Sequence, residues 1–208
     1  MPLYTILRQV DASLSDAELD ALVGRMIGGA IQFEGVRWQR SYTWDGGEAV
    51  HSMCVYEGPS LEAVRRHSEL CAVPFSEIRE VIEYLPTLHP EAAHGRASAD
   101  ANFYLVTRRL PLDTAPGEPD APLFRSATGL ASPGISWIRS FWDDEWRRFR
   151  SIYVASHASL IETHARLSGI RCDEILRVDE QLPSDWVAWY DAMGAPRHWE
   201  EQPASAEA

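Results

Sequence analysis

From residue 3 to residue 85 the chain switches between strand-like and helix-like apolar patterns. Leu3-Tyr4-Thr5-Ile6-Leu7-Arg8 is a β-rich run. Leu19, Leu22, Val23 and Met26 follow at helical spacing behind Ser15 and Glu18, which form a capping-box pair. Val36–Thr43 and Val50–Glu57 flank Asp45-Gly46-Gly47, a hairpin signal. Ser60 opens a second helix carrying Leu61, Val64 and Leu70, with Pro74 just beyond it. Glu77–Leu85 closes the set as a strand with Val81 and Leu85 on one face. Strand, helix, strand, strand, helix, strand is the split-βαβ, ferredoxin-like order, with both helices expected on one face of an antiparallel sheet.

The pattern then returns about one hundred residues later. Leu3–Arg8 matches Phe103-Tyr104-Leu105-Val106-Thr107-Arg108, and Gly35–Tyr42 matches Gly134–Phe141. Cys54 to Pro86 matches Ser151 to Pro183 without a gap, pairing Tyr56 with Tyr153 and His67 with His164. A period this long indicates tandem domains, because solenoid units run to about 20–50 residues. The expected fold class is α+β: two tandem ferredoxin-like subdomains packed as an intramolecular pseudo-dimer. The expected divisions are a first repeat at 1–88, a linker at 89–101, a second repeat at 102–183, and a docking helix with a disordered tail at 184–208. The first helix of the second copy is crowded by Pro111, Pro116, Pro119 and Pro122, leaving room for a short one near Ala121–Leu130.

Composition narrows the function. The net charge of −12 removes any general attraction to nucleic acid or to anionic membranes. All 19 basic residues are Arg, so Schiff-base lysine chemistry and the Lys-bearing phosphate loop are excluded. No apolar run reaches the roughly 20 residues of a membrane helix, and no secretory signal opens the chain. Three Cys in 208 residues suit a reducing compartment, so a cytoplasmic location is expected. No dinucleotide loop or nucleophile elbow occurs.

Gly35-Val36-Arg37-Trp38-Gln39-Arg40-Ser41-Tyr42, Cys54-Val55-Tyr56-Glu57-Gly58-Pro59-Ser60 and His67 resemble a bacterial family that includes a small nickel-binding protein. The resemblance covers most of residues 1–88 and, more weakly, 103–183, where Ser151 replaces Cys54 and Val154 replaces Glu57. It implies a ferredoxin-like fold that pairs, here within one polypeptide, as a monomeric pseudo-dimer or a homodimer. It also implies binding of nickel or another divalent transition metal, in sequestration or homeostasis.

His67 and Cys71 are four apart on one helix, so both can face one ion, and His164 holds the place equivalent to His67. Imidazole and thiolate suit Ni, Cu or Zn, although a metal takes roughly four ligands. Taken singly, each His reads as a solvated helix-face residue. A second reading is a small-molecule binder or cofactor-independent enzyme with a cavity between the repeats. Trp38, Arg40 and Tyr42, and their copies Trp137, Arg139 and Phe141, would form rows on one strand face. Arg40 and Arg139 would orient an anionic or carbonyl-bearing ligand while Trp38 and Trp137 stack on it. Tyr4, Tyr104, Tyr56 and Tyr153 would join that site or serve as amphipathic core. Buried Arg would need carboxylates, with Glu83 and Glu180 the candidates. A heme-type ligand held by His164 or His67 is a further branch. His89 and His94 in the linker read as incidental surface donors.

Overall fold

The computed structural model describes residues 1–15, 17, 18, 21, 22, 24, 25, 35–85, 101–109, 134–167, 169, 171–185 and 188. The expected linker, the short helix near 121–130, the tail and most of the expected first and last helices lie outside them. The described elements are β1 (Leu3–Asp11), β2 (Arg37–Asp45), β3 (Ala49–Glu57), α1 (Leu61–Leu70), β4 (Phe75–Tyr84), β5 (Asn102–Arg109), β6 (Ile135–Asp143), β7 (Arg148–Ala155), α2 (Ala158–Leu167) and β8 (Glu174–Gln181). This is a mixed α+β chain. No described helix is long and apolar enough to cross a membrane.

Two compact units divide the chain: one is Met1–Glu80 together with the chain from Glu180, the other Val81–Asp179. In the first, β3 lies between β1 and β2, antiparallel to both. In the second, the antiparallel order is β8–β5–β7–β6–β4. Both β4 and β8 run across the division, with Val81–Tyr84 of β4 in the second unit and Glu180–Gln181 of β8 in the first.

Local chemistry explains the boundaries. Ser15 donates its backbone N–H at 2.9 Å and its hydroxyl at 2.6 Å to Glu18 Oε2, the first of these being the glutamate half of a capping box. In the β2–β3 turn, Gly47 holds a positive φ of 88° while its N–H donates to Asp45 Oδ1 at 2.7 Å. Ser60 caps α1 by accepting the Ala63 N–H at 3.1 Å. Gly58 leads into that cap where a side chain has no room, since a Cβ there would stand 2.6 Å from Val64 Cγ2.

The buried face of α1 is not the one its leucines predict. Leu61 is 39% exposed and Leu70 66%, while Val64, His67, Ser68 and the C-cap Cys71 are buried. Below Val64 lies a core of Tyr4, Ile6, Val36, Cys54, Tyr56 and Ile78. Each aliphatic side chain there contributes about 1.5–3 kcal/mol by leaving water. The second unit repeats the arrangement with Tyr104, Val106, Ile135, Tyr153, Ala155 and Ile161.

Candidate functional site

The expected Trp–Arg–aromatic row does not form. Trp38 stands opposite Tyr56 on β3, but Arg40 stands opposite Val55, because a bulge intervenes between Trp38 and Arg40. One extra residue reverses the facing of everything after it. Trp38 therefore packs on the α1-side core with Tyr4 and Tyr56, and its Nε1–H donates to Ser41 Oγ at 2.9 Å. Arg40 and Tyr42 point to the opposite face. The second unit carries the same bulge between Trp137 and Arg139, with Trp137 Nε1–H donating to Ser140 Oγ at 2.9 Å. Strand alternation was the wrong rule at these two places, so neither Trp shares a face with the Arg it was grouped with.

Both guanidiniums hold carboxylates. In the first unit, Arg40 Nη1 lies 2.8 Å from Glu180 Oε1, which also accepts the Tyr42 hydroxyl at 3.0 Å. In the second, Arg139 Nη1 pairs with Glu83 Oε1. The pairs differ in burial: the Arg139 side chain is 5% exposed, that of Arg40 22%. These are the two glutamates that the sequence nominates on the final strands.

The four tyrosines lie on the helix side. Tyr4, Tyr56, Tyr104 and Tyr153 are 1–6% exposed, within the two cores. Both candidate histidines are buried as well, His67 at 0% and His164 at 6%, which corrects their reading as solvated helix-face residues. His67 and Cys71 do meet: Cys71 Sγ lies 3.8 Å from both ring nitrogens of His67, and the imidazole packs against Tyr56 with ring centroids 5.2 Å apart. A helix buries His, Ser and Cys only where something polar awaits them.

That polar partner is Arg8, a residue the sequence reading passed over. Arg8 is 2% exposed; its Nη1 donates to Val73 O at 2.9 Å and its Nη2 to Ser68 Oγ at 3.1 Å. Arg108, its counterpart, is 1% exposed, donates to the Tyr153 hydroxyl at 3.2 Å and lies 5.3 Å from that ring's centroid. No carboxylate of the described residues pairs with either, and the Nε of each has no partner. The one signal was positional: both close the repeated first-strand motif, in step with Tyr4 and Ile6 or with Tyr104 and Val106.

Burial sets the titration of the site. It pushes the Cys71 thiol up, with Arg8 and then Arg25 pulling partway back. Burial raises Tyr56 further; the neighbouring Cys54 adds to this and Arg8 opposes it. Cys172 of the second unit is likewise raised by burial and held down by Arg108.

For a nickel ion the donors at His67 fit in kind and fall short in number. Imidazole nitrogen and thiolate sulfur are suitable ligands, yet no group of three or more His, Cys, Asp or Glu gathers among the described residues. At His164 the thiol is missing from the sequence, since Ser168 takes the place of Cys71. Open hollows of about 550 Å³ beside Cys172 and about 940 Å³ beside Asp11 are lined by neither His67 nor His164.

Residues 4–81 match the family model described as nickel responsive protein SCO4226-like. No curated protein matches the chain. Among solved structures, chlorite dismutase from Candidatus Nitrospira defluvii in complex with imidazole is similar over 91% of this chain and 95% of its own, at 11% identity and a TM-score of 0.55. A mutant of chlorite dismutase from the same organism gives 12% identity, the same coverage and a TM-score of 0.57. At such identity the likeness concerns the fold, a ferredoxin-like α+β architecture, and nothing of the chemistry.

Proposed function

We propose that this chain, built from two copies of one module, takes up a transition-metal cation of the nickel class as cargo, in sequestration or homeostasis. Its protein donors are His67 Nδ1 or Nε2 and Cys71 Sγ. The observation that carries this reading is their 3.8 Å approach on the buried face of α1. The segment matched by the nickel-responsive family model contains both residues.

What these residues do follows from their surroundings. Cys71 holds its proton at neutral pH, because burial raises its pKa, and uptake of the cation displaces that proton. His67 supplies a neutral lone pair. Arg8 ties Ser68 of α1 to Val73 beyond it, fixing the helix end from which both donors project. The alternative of an anionic ligand on Arg40 and Arg139 loses support, since Glu180 and Glu83 already neutralise them.

Equilibrium dialysis against Ni²⁺ tests the reading. Uptake is expected in the parent chain and in His164→Ala, and loss in His67→Ala and Cys71→Ser. No uptake by the parent, or uptake unchanged in Cys71→Ser, would remove it.

A further inference from the structure

The two copies part company where α2 gives way to β8. Because Cys54–Pro86 and Ser151–Pro183 match without a gap, Cys172 takes the place of Phe75 and Ala165 that of Ser68. Phe75 packs against the first core, and Cys172 against the second. The first exchange removes a ring and the second a hydroxyl. Cys172 and Ala165 both line the hollow of about 550 Å³, and Ile175 adds to its apolar wall. That volume falls within the range of small-molecule sites, about 300–1,000 Å³.

Behind this wall lies a buried charge. Arg108 does not itself line the hollow, but it hydrogen-bonds to the side chain of Cys172, which does. Its Nη1 donates to the Tyr153 hydroxyl, its Nε has no partner, and no carboxylate among the described residues pairs with it. In the first copy the matched Arg8 reaches the Ser68 hydroxyl at 3.1 Å. Ala165 offers no acceptor in that place. A buried guanidinium has five N–H donors to satisfy and costs least beside an anion. Cys172 turns about a single side-chain torsion, so one rotamer change opens Arg108 to the hollow.

The rim selects the charge of the ligand. Glu162, Asp173 and Glu174 stand there with Arg166 and Arg171, all of them exposed. Asp173 Oδ2 accepts the Arg109 backbone N–H at 2.7 Å. Three carboxylates against two guanidiniums leave a small negative excess, softened by water and salt but unfavourable to a dianion. A single negative charge on an apolar body suits both the rim and the depth.

We propose that the hollow between α2 and β8 binds a small aromatic monocarboxylate. Its ring lies against Ala165, Cys172 and Ile175, taking the place that Phe75 fills in the first copy, and its carboxylate pairs with Arg108. The association is non-covalent. It is independent of the metal reading, whose donors His67 and Cys71 belong to the other unit.

The test uses the full chain with benzoate as the probe. An NMR titration of the parent should saturate with a Kd of about 1 mM, ordinary for so small a ligand. Benzyl alcohol has the ring without the charge and should bind about 10-fold more weakly, as should the dianion phthalate. Iodoacetamide alkylation of Cys172 in the parent, followed by mass spectrometry, should slow as benzoate saturates, a readout that needs no variant to fold. Cys172→Phe restores the first copy's ring and should abolish binding. Ala165→Ser gives Arg108 a hydroxyl and should weaken binding about 5-fold. Circular dichroism checks the fold of each variant. No saturable benzoate binding, benzyl alcohol or phthalate binding as tightly, alkylation at an unchanged rate, or full affinity in folded Cys172→Phe would each overturn the proposal.

Discussion

A buried charge costs least where its counter-charge is fixed, and the two Arg–Glu pairs separate that effect by burial. Arg139 is nearly closed off and Arg40 is not, at 5% and 22% side-chain exposure. Glu83→Ala should therefore destabilise by about 3 kcal/mol, the cost of orphaning a buried guanidinium. Glu180→Ala should cost about 1 kcal/mol, nearer the value of a solvated pair. Urea unfolding midpoints of the two variants give the comparison, and equal losses would show that burial does not set the difference. Cys71 and Tyr56 make a pH prediction whose sign follows from their raised pKa values. Between the free thiol's pKa, about 8.5, and the raised folded value, the unfolded chain has released a proton the folded chain keeps. Stability is full below that window and falls as pH rises through it, with the phenol adding to the fall above about 10. Urea midpoints from pH 7 to 10.5 should show the decline, and Cys71→Ala should flatten its first part.

At the level of elements, the bulges in β2 and β6 decide which side chains can meet. They were not legible in the sequence, because Trp38-x-Arg40-x-Tyr42 alternates correctly with or without an extra residue in the pairing. Only the register against β3 shows that Trp38 and Arg40 part company. Trp38→Phe should then cost about 1 kcal/mol through its lost bond to Ser41, and leave the Arg40–Glu180 pair intact. The hairpins, the Ser60 cap and the strand order within each copy were legible, since turn chemistry and capping act locally. The inward face of α1 was not. Leucine weight pointed to Leu61 and Leu70, whereas Ser68 meets the buried Arg8 and His67 and Cys71 are buried on the same side. Gly58→Ala tests how tightly that helix is seated: an added methyl 2.6 Å from Val64 Cγ2 should destabilise by about 1–3 kcal/mol, measured by thermal unfolding.

For the molecule as a whole, the duplication was the clearest message of the sequence, and the likeness to chlorite dismutase structures spans 91% of the chain. The matching sequence segments share Arg8 and Arg108, Tyr56 and Tyr153, His67 and His164, but not a thiol four residues after the histidine. That asymmetry makes the account specific, assigning metal uptake to the first unit alone. The sequence could offer His67 and Cys71 because helical spacing is local. It could not show Arg8 as their neighbour, since Ser68 lies 60 residues away and Val73 lies 65 away. Histidine side-chain ¹⁵N NMR during addition of one equivalent of Ni²⁺ tests the central claim most directly. Of the seven imidazoles, that of His67 should shift, and the shift should vanish in Cys71→Ser. Movement of His89 and His94 in its place, or an unmoved His67, would contradict the account.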